Sequence, residues 1–198
     1  DEKMLTYWQK LNLMNKLTIK PQNKYWDTSF ENASFDLVWN FVTFSYFNDT
    51  EKILTEMHRV TKKYVLIIAC NNMQLGYPWH RILHKIYGIK WNHGDTYYNY
   101  PWHLKESLKK TGFKITEYGT IDSPPWPDPV GFRDIRLHKK GAENTLNSEK
   151  EEIEWEVPFI DYMKNGKYPL WMKILRLYDK TFHKYYFKLL FSHLYYVV

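Results

Sequence analysis

The strongest constraint on this chain is two apolar runs set either side of one amphipathic helix. "SFDLVWNFV" is apolar and bounded by turn formers, "NDTEKILTEMHRVTK" has helical periodicity, and "YVLIIACNN" is a continuous apolar run of strand length. Such runs read as strands buried in a sheet, and strand, helix, strand in succession is the pattern of a parallel α/β fold. In the helix, Ile53, Leu54, Met57 and Val60 recur on one face, and Asn48 or Thr50 stands where a cap is needed.

The flanking segments extend the pattern. "DEKMLTYWQKLN" places Met4, Trp8 and Leu11 on one helical face, with Asp1 and Glu2 where acids suit a helix N-terminus. "KLTIK" after it is β-like. "WHRILHKIYG" and "WHLKESLKKTG" read as helices stopped by Gly88 and Gly112, and "FKITEYGTI" as a strand. "DSPPWPDPVGF" cannot be regular, because proline removes donors and restricts its neighbours. Its Trp126 either walls a pocket or marks a crossover. The charged stretch "KKGAENTLNSEKEE" reads as a linker. It divides the chain into an α/β part, 1–140, and a C-terminal part, 141–198, of linker and aromatic helices. There Leu170, Ile174, Leu177, Tyr178, Phe182, Tyr185 and Leu189 fall on one side of a long helix or a pair of helices.

Composition narrows the setting. With 44% hydrophobic residues in 198, the chain can build a core and is not a disordered segment. Aromatics at 19% suggest an apolar pocket or an aromatic contact face. The net charge of +6 fits an anionic ligand, a membrane surface or a lysine-rich solvated exterior. No RNA-binding motif accompanies it, so nucleic acid is not an expected partner. "LLFSHLYYVV" is far short of the roughly 18 residues a membrane-spanning helix needs. Cys70 is the single cysteine, which points to a reducing, cytoplasmic compartment. Basic and aromatic side chains interleave in the C-terminal helix, at Lys173, Arg176, Lys180, Lys184 and Lys188. That suits packing on the core or in a partner interface, or peripheral contact with a membrane surface.

Ligands of open parallel sheets bind outside the carboxyl ends of the strands. Those ends are "WNFV" and "ACNN", so Asn40, Phe41, Cys70, Asn71 and Asn72 should line one crevice. His80 and His84, four apart, share a helix face, and His93 follows in "KWNHGD". Two histidines at that spacing can ligate a metal, but no pattern such as H-E-x-x-H signals a third ligand, and no metal is assigned. A histidine that contacts the substrate or acts as a general base is the alternative.

The elements "SFDLV", "EMHRV", "TKK", "YVLII" and "LKESLKKTGFKITEYG", in that order, resemble class I S-adenosylmethionine-dependent methyltransferases over residues 1–121. The resemblance implies a Rossmann-like sheet with S-adenosylmethionine as cofactor and a small-molecule acceptor. It also implies that the segment after "YVLII" builds the acceptor pocket. His80 and His93 are then the expected catalytic residues, and Trp79, Trp91 and Asn71 the expected substrate contacts. Asp27, in "NKYWDTSF", is the acid nearest the family's adenine-contacting position, and Asn40 and Phe41 complete the expected cofactor side. Family members carry a glycine-rich loop after their first strand and a ribose-binding acid after the second. The eight glycines here lie at 76, 88, 94, 112, 119, 131, 141 and 166, with no G-x-G among them. "DEKML" matches the residues that follow the acid. The expectation is a sheet incomplete at its N-terminal side, its exposed edge covered by missing residues or a partner chain, with a C-terminal helical extension. A methyltransferase-like binding module without catalysis is the other reading.

Overall fold

The computed structural model describes residues 24–88, 90, 91, 93–121 and 165–198. The helix expected at the N-terminus, the Trp126 loop, the linker and the boundary at 140 lie outside them. The described residues form an α/β fold in which a four-stranded mixed sheet is ordered β1-β2-β4-β3. Strand β1 is Phe35–Phe41, helix α1 Thr50–Val60 and strand β2 Thr61–Cys70. Helix α2 is Gly76–Ile86, helix α3 Pro101–Lys110 and strand β3 Tyr118–Ile121. Helix α4, Leu170–Phe182, and strand β4, Leu194–Val197, close the order.

The strand–helix–strand unit read from the sequence is present. β1 and β2 pair in parallel, with Val38 opposite Val65 and Asn40 opposite Ile67. The expected stripe of α1 (Ile53, Leu54, Met57 and Val60) is buried. Burying each such side chain is worth about 1.5–3 kcal/mol. Ile53, Leu54 and Met57 meet Val65, Ile67 and Ala69 of β2, Leu104 and Leu108 of α3, and Tyr195 and Val197 of β4 in one core. Asp49, rather than Asn48 or Thr50, is the N-cap residue of α1, and it makes no side-chain cap bond. Gly88 and Gly112, at φ +63° and +93°, follow the ends of α2 and α3 as expected of helix stops.

Three expectations are corrected. β1 is not a buried strand: it is the sheet edge among the described residues, and Leu37, Trp39 and Phe41 are more than half exposed. The C-terminal region is not helical to its end. After α4 the chain makes a short 3-10 helix, Tyr186–Leu190, and then β4, which runs antiparallel to both β2 and β3. "LYYV" alternates half-buried Leu194 and Tyr196 with buried Tyr195 and Val197, so a period of two governs here. Finally, of the settings open to the C-terminal helix, packing on the core is not the one α4 takes. It has no buried residue, and Leu170, Trp171, Ile174 and Leu177 are exposed. No described helix is long and apolar enough to cross a membrane.

Candidate functional site

The insertion of β4 beside β2 shapes a crevice at the carboxyl ends of the two parallel strands. Val42 follows β1 at φ +54°, an uncommon conformation for a β-branched residue, and donates its N–H to Ile68 O at 2.8 Å. This turns the chain over the sheet end toward Ser45 and Tyr46. At the end of β2, Asn71 is 1% exposed. Its amide nitrogen reaches Leu189 O at 2.6 Å and Ser192 O and Oγ at 2.9 Å, while its Oδ1 accepts the Met73 N–H. Asn71 therefore ties the C-terminal segment to the crevice floor. Asn72 does the same for the facing loop, donating its N–H to Asn99 O and its Nδ2 to Thr96 O.

α2 and, from the loop after it, Trp91, His93 and Thr96 form the opposite wall. The loop is clamped to the β1 end at Gly94, whose φ is +66°. A Cβ there would lie 2.0 Å from Ser45 O, and the next N–H, of Asp95, donates to that same oxygen at 2.7 Å. Only glycine fits, and the clamp carries Trp91 and His93 to α2. His80 Nε2 lies 3.1 Å from His93 Nε2. The rings of His80 and His84 are 4.6 Å apart, and Trp91 sits 4.6–5.5 Å from all three imidazoles. The Arg81 guanidinium stacks over the Trp91 ring at 4.1 Å. The resulting cavity has a volume of about 280 Å³ and is also lined by Tyr77, Asn99 and His193. Burial pushes the Cys70 thiol above its ordinary pKa, so Cys70 is a neutral wall group.

The expected residues separate into two groups. His80, His93, Trp91 and Asn71 line the crevice together. Trp79, Asp27, Asn40 and Phe41 are not among the lining residues. Trp79 is on α2 but 55% exposed, Phe41 is 51% exposed, and Asn40 donates to Thr43 Oγ1 at 2.6 Å. Asp27 is exposed beside the Arg59 guanidinium, which it helps keep charged. Sequence reasoning missed Ser45, Asn99 and His193, which converge from distant positions. For His193 a signal existed in the alternating "LYYV" that follows it.

Fit to S-adenosylmethionine is partial. The crevice has aromatic and hydrogen-bonding walls, but among the described residues no carboxylate lines it to hold a ribose diol, and the sequence has no G-x-G loop to approach a cofactor. The described residues fit an acceptor and do not fit the whole cofactor.

Residues 1–69 match the sequence model of a family described as "Methyltransferase domain". The described part of the match is β1, α1 and nearly all of β2. Curated proteins give no match. A SAM-dependent methyltransferase from Thermotoga maritima is similar at 14% identity and a TM-score of 0.42, covering 58% of this chain and 54% of its own. One from Aquifex aeolicus matches at 17% and 0.43, covering 59% and 55%. Another, from Archaeoglobus fulgidus, matches at 14% and 0.46, covering 96% and 70%. The matched region spans about half the length of the first two.

Proposed function

We propose, from a chain whose residues 1–69 match a methyltransferase domain, that the crevice is the acceptor side of an S-adenosylmethionine-dependent methyl-transfer site. The observation that carries the reading is position. The cavity lies at the carboxyl ends of β1 and β2, where open α/β sheets bind ligands, and Tyr77, His80, Trp91, His93 and Thr96 supply its opposite wall. S-Adenosylmethionine supplies a methyl group that is already activated, so the protein's task is to place a nucleophile and keep water out. Trp91 and Tyr77 give a small, partly apolar acceptor its apolar wall. The imidazoles of His80 and His93 engage the acceptor's nucleophilic heteroatom and fix its direction. Asn71 shapes the floor, and Trp79 stands at the outer rim. Asn40 and Phe41 lie toward the cofactor side of the same sheet end. Asp27 is the acid offered to the cofactor, and its exposure leaves it free to meet residues from outside the described set. A cytoplasmic setting goes with the single cysteine. A partner chain or a further segment covers the apolar face of β1, and α4 makes peripheral contact with a membrane surface.

A binding module without catalysis is the second reading. Two measurements separate them. Calorimetric titration of the 198-residue chain with S-adenosylmethionine should show no binding or very weak binding. Micromolar affinity would overturn the division into acceptor and cofactor sides. Labelled methyl transfer by the product of the complete coding sequence should be detectable on a small aromatic acceptor, and should fall in His80→Gln and Trp91→Ala. Cofactor binding with no transfer to any acceptor would leave the binding module standing.

A further inference from the structure

Three imidazoles from two segments converge beside the crevice. His80 and His84 lie one turn apart on α2, and His93 comes from the loop that Gly94 clamps. One nitrogen from each lies within 4.8 Å of the other two. His80 is 8% and His84 3% exposed. From this geometry we propose that His80, His84 and His93 form a site for a divalent first-row transition cation, zinc foremost, with one coordination position open to the crevice.

The chemistry of the donors argues for this class of ion. Imidazole is a borderline ligand that suits zinc, copper, nickel and cobalt, whereas calcium and magnesium require oxygen. Zn–N bonds of about 2.0–2.1 Å in a tetrahedron put the ligating nitrogens roughly 3.3 Å apart. The 3.1 Å between His80 Nε2 and His93 Nε2 is already at that spacing. The widest separation in the trio, up to 4.8 Å, must close by about 1.5 Å, which ring rotation about χ1 and χ2 can supply.

The placement is also that of a reactive site rather than a structural one. Three protein ligands leave a fourth position for water or substrate. His80 and His93 line the cavity, whereas His84 lines a separate pocket with Arg81 and Trp91, so a fourth position between His80 and His93 would open to the crevice. Three neutral imidazoles leave the charge of the dication uncompensated. An anionic fourth ligand, such as hydroxide, thiolate or phenolate, is therefore favoured. The sequence alone assigned no metal because the i, i+4 pair showed two ligands and nothing in the spacing announced that His93 would join them. The inference rests on the imidazole geometry, not on the methyl-transfer reading; a bound cation would take the lone pairs of His80 and His93, and an acceptor would then be engaged through the open coordination position.

The test uses the untagged, metal-stripped 198-residue chain. Titration with Co²⁺ should produce the intense visible bands of a tetrahedral site, saturating at one ion per chain, and Zn²⁺ should displace the cobalt. His84→Gln and His93→Gln should each weaken Zn²⁺ binding on the order of 100-fold against a chromophoric chelator. His58→Gln, on the exposed side of α1 against Phe113, should leave it unchanged. Should the crevice variants fail to fold, proton NMR of the cobalt-loaded wild type gives an independent readout. Shifted exchangeable signals from three imidazoles are expected. Absence of the tetrahedral bands, fewer than three shifted imidazoles, or binding that survives in both folded crevice variants would overturn the site.

Discussion

Single residues decide how well two parts of the fold are held: Gly94 the crevice loop, and Glu56 the tie between α1 and residues 28–32. Gly94→Ala asks a Cβ to occupy a point 2.0 Å from Ser45 O at φ +66°. A backbone clash cannot be relieved by turning a side chain, so the loop must move and carry His93 with it. The expected cost is about 2–3 kcal/mol, read as a lower urea midpoint, together with loss of the Co²⁺ bands. Glu56 is a second such residue. Its carboxylate accepts from Arg59 Nε and from the Thr28 N–H at 2.8 Å, and the Arg59 guanidinium also reaches Asn32 Oδ1 at 2.7 Å. The bond from Arg59, with those from Thr28, holds Glu56 at about 2, below its ordinary 4.5, against the opposing effect of burial. A depressed carboxylate gives stability that is present above its unfolded pKa and lost as pH falls through its folded one. Wild type should exceed Glu56→Gln by about 3 kcal/mol at most near neutrality. That margin should shrink as pH drops from about 4.5 toward 2, and a margin independent of pH in urea titrations would refute the linkage.

At the scale of elements, α4 and the segment after it set two problems. Lys188 is fully buried, and its Nζ meets Asp179 Oδ1 at 2.7 Å and faces the Tyr178 ring at 4.3 Å. Asp179→Asn leaves that ammonium without its counter-charge. The carboxylate side of the pair is 42% exposed, so water softens the loss to about 2–3 kcal/mol in chemical unfolding. Adding Lys188→Met should recover most of it, because a methionine there needs no partner. α4 itself presents Leu170, Trp171, Ile174 and Leu177 to solvent, with Lys173, Arg176 and Lys180 also exposed. A helix of this kind gains by laying its apolar side into a lipid interface while cations meet anionic headgroups. The chain should sediment with anionic vesicles, less so as salt rises, and Leu177→Glu should abolish the association. Sedimentation with neutral and anionic vesicles alike would point to apolar exposure without electrostatic recognition.

At the scale of the molecule, the exposed apolar row of β1 is the unfinished surface. Phe35, Leu37, Trp39 and Phe41 point to one side of the edge strand, and Tyr64, which pairs with Leu37, is 55% exposed beside them. Such a row on an edge strand is prone to association unless it is covered. Sedimentation velocity should show concentration-dependent association of the isolated chain. The double variant Leu37→Lys, Trp39→Lys should remain monomeric with little change in unfolding midpoint, since both side chains are already half solvated. The sequence by itself determined the β1–α1–β2 unit, the buried stripe of α1 and the position of the crevice. These follow from local periodicity and from the geometry of parallel strands, which any chain with that pattern must obey. Only the tertiary structure decided that the last strand slips antiparallel between β2 and β3, and that three histidines meet. Those outcomes depend on which distant segment wins a place beside a strand and on one glycine pressed against Ser45. Spacing along a chain carries no record of either.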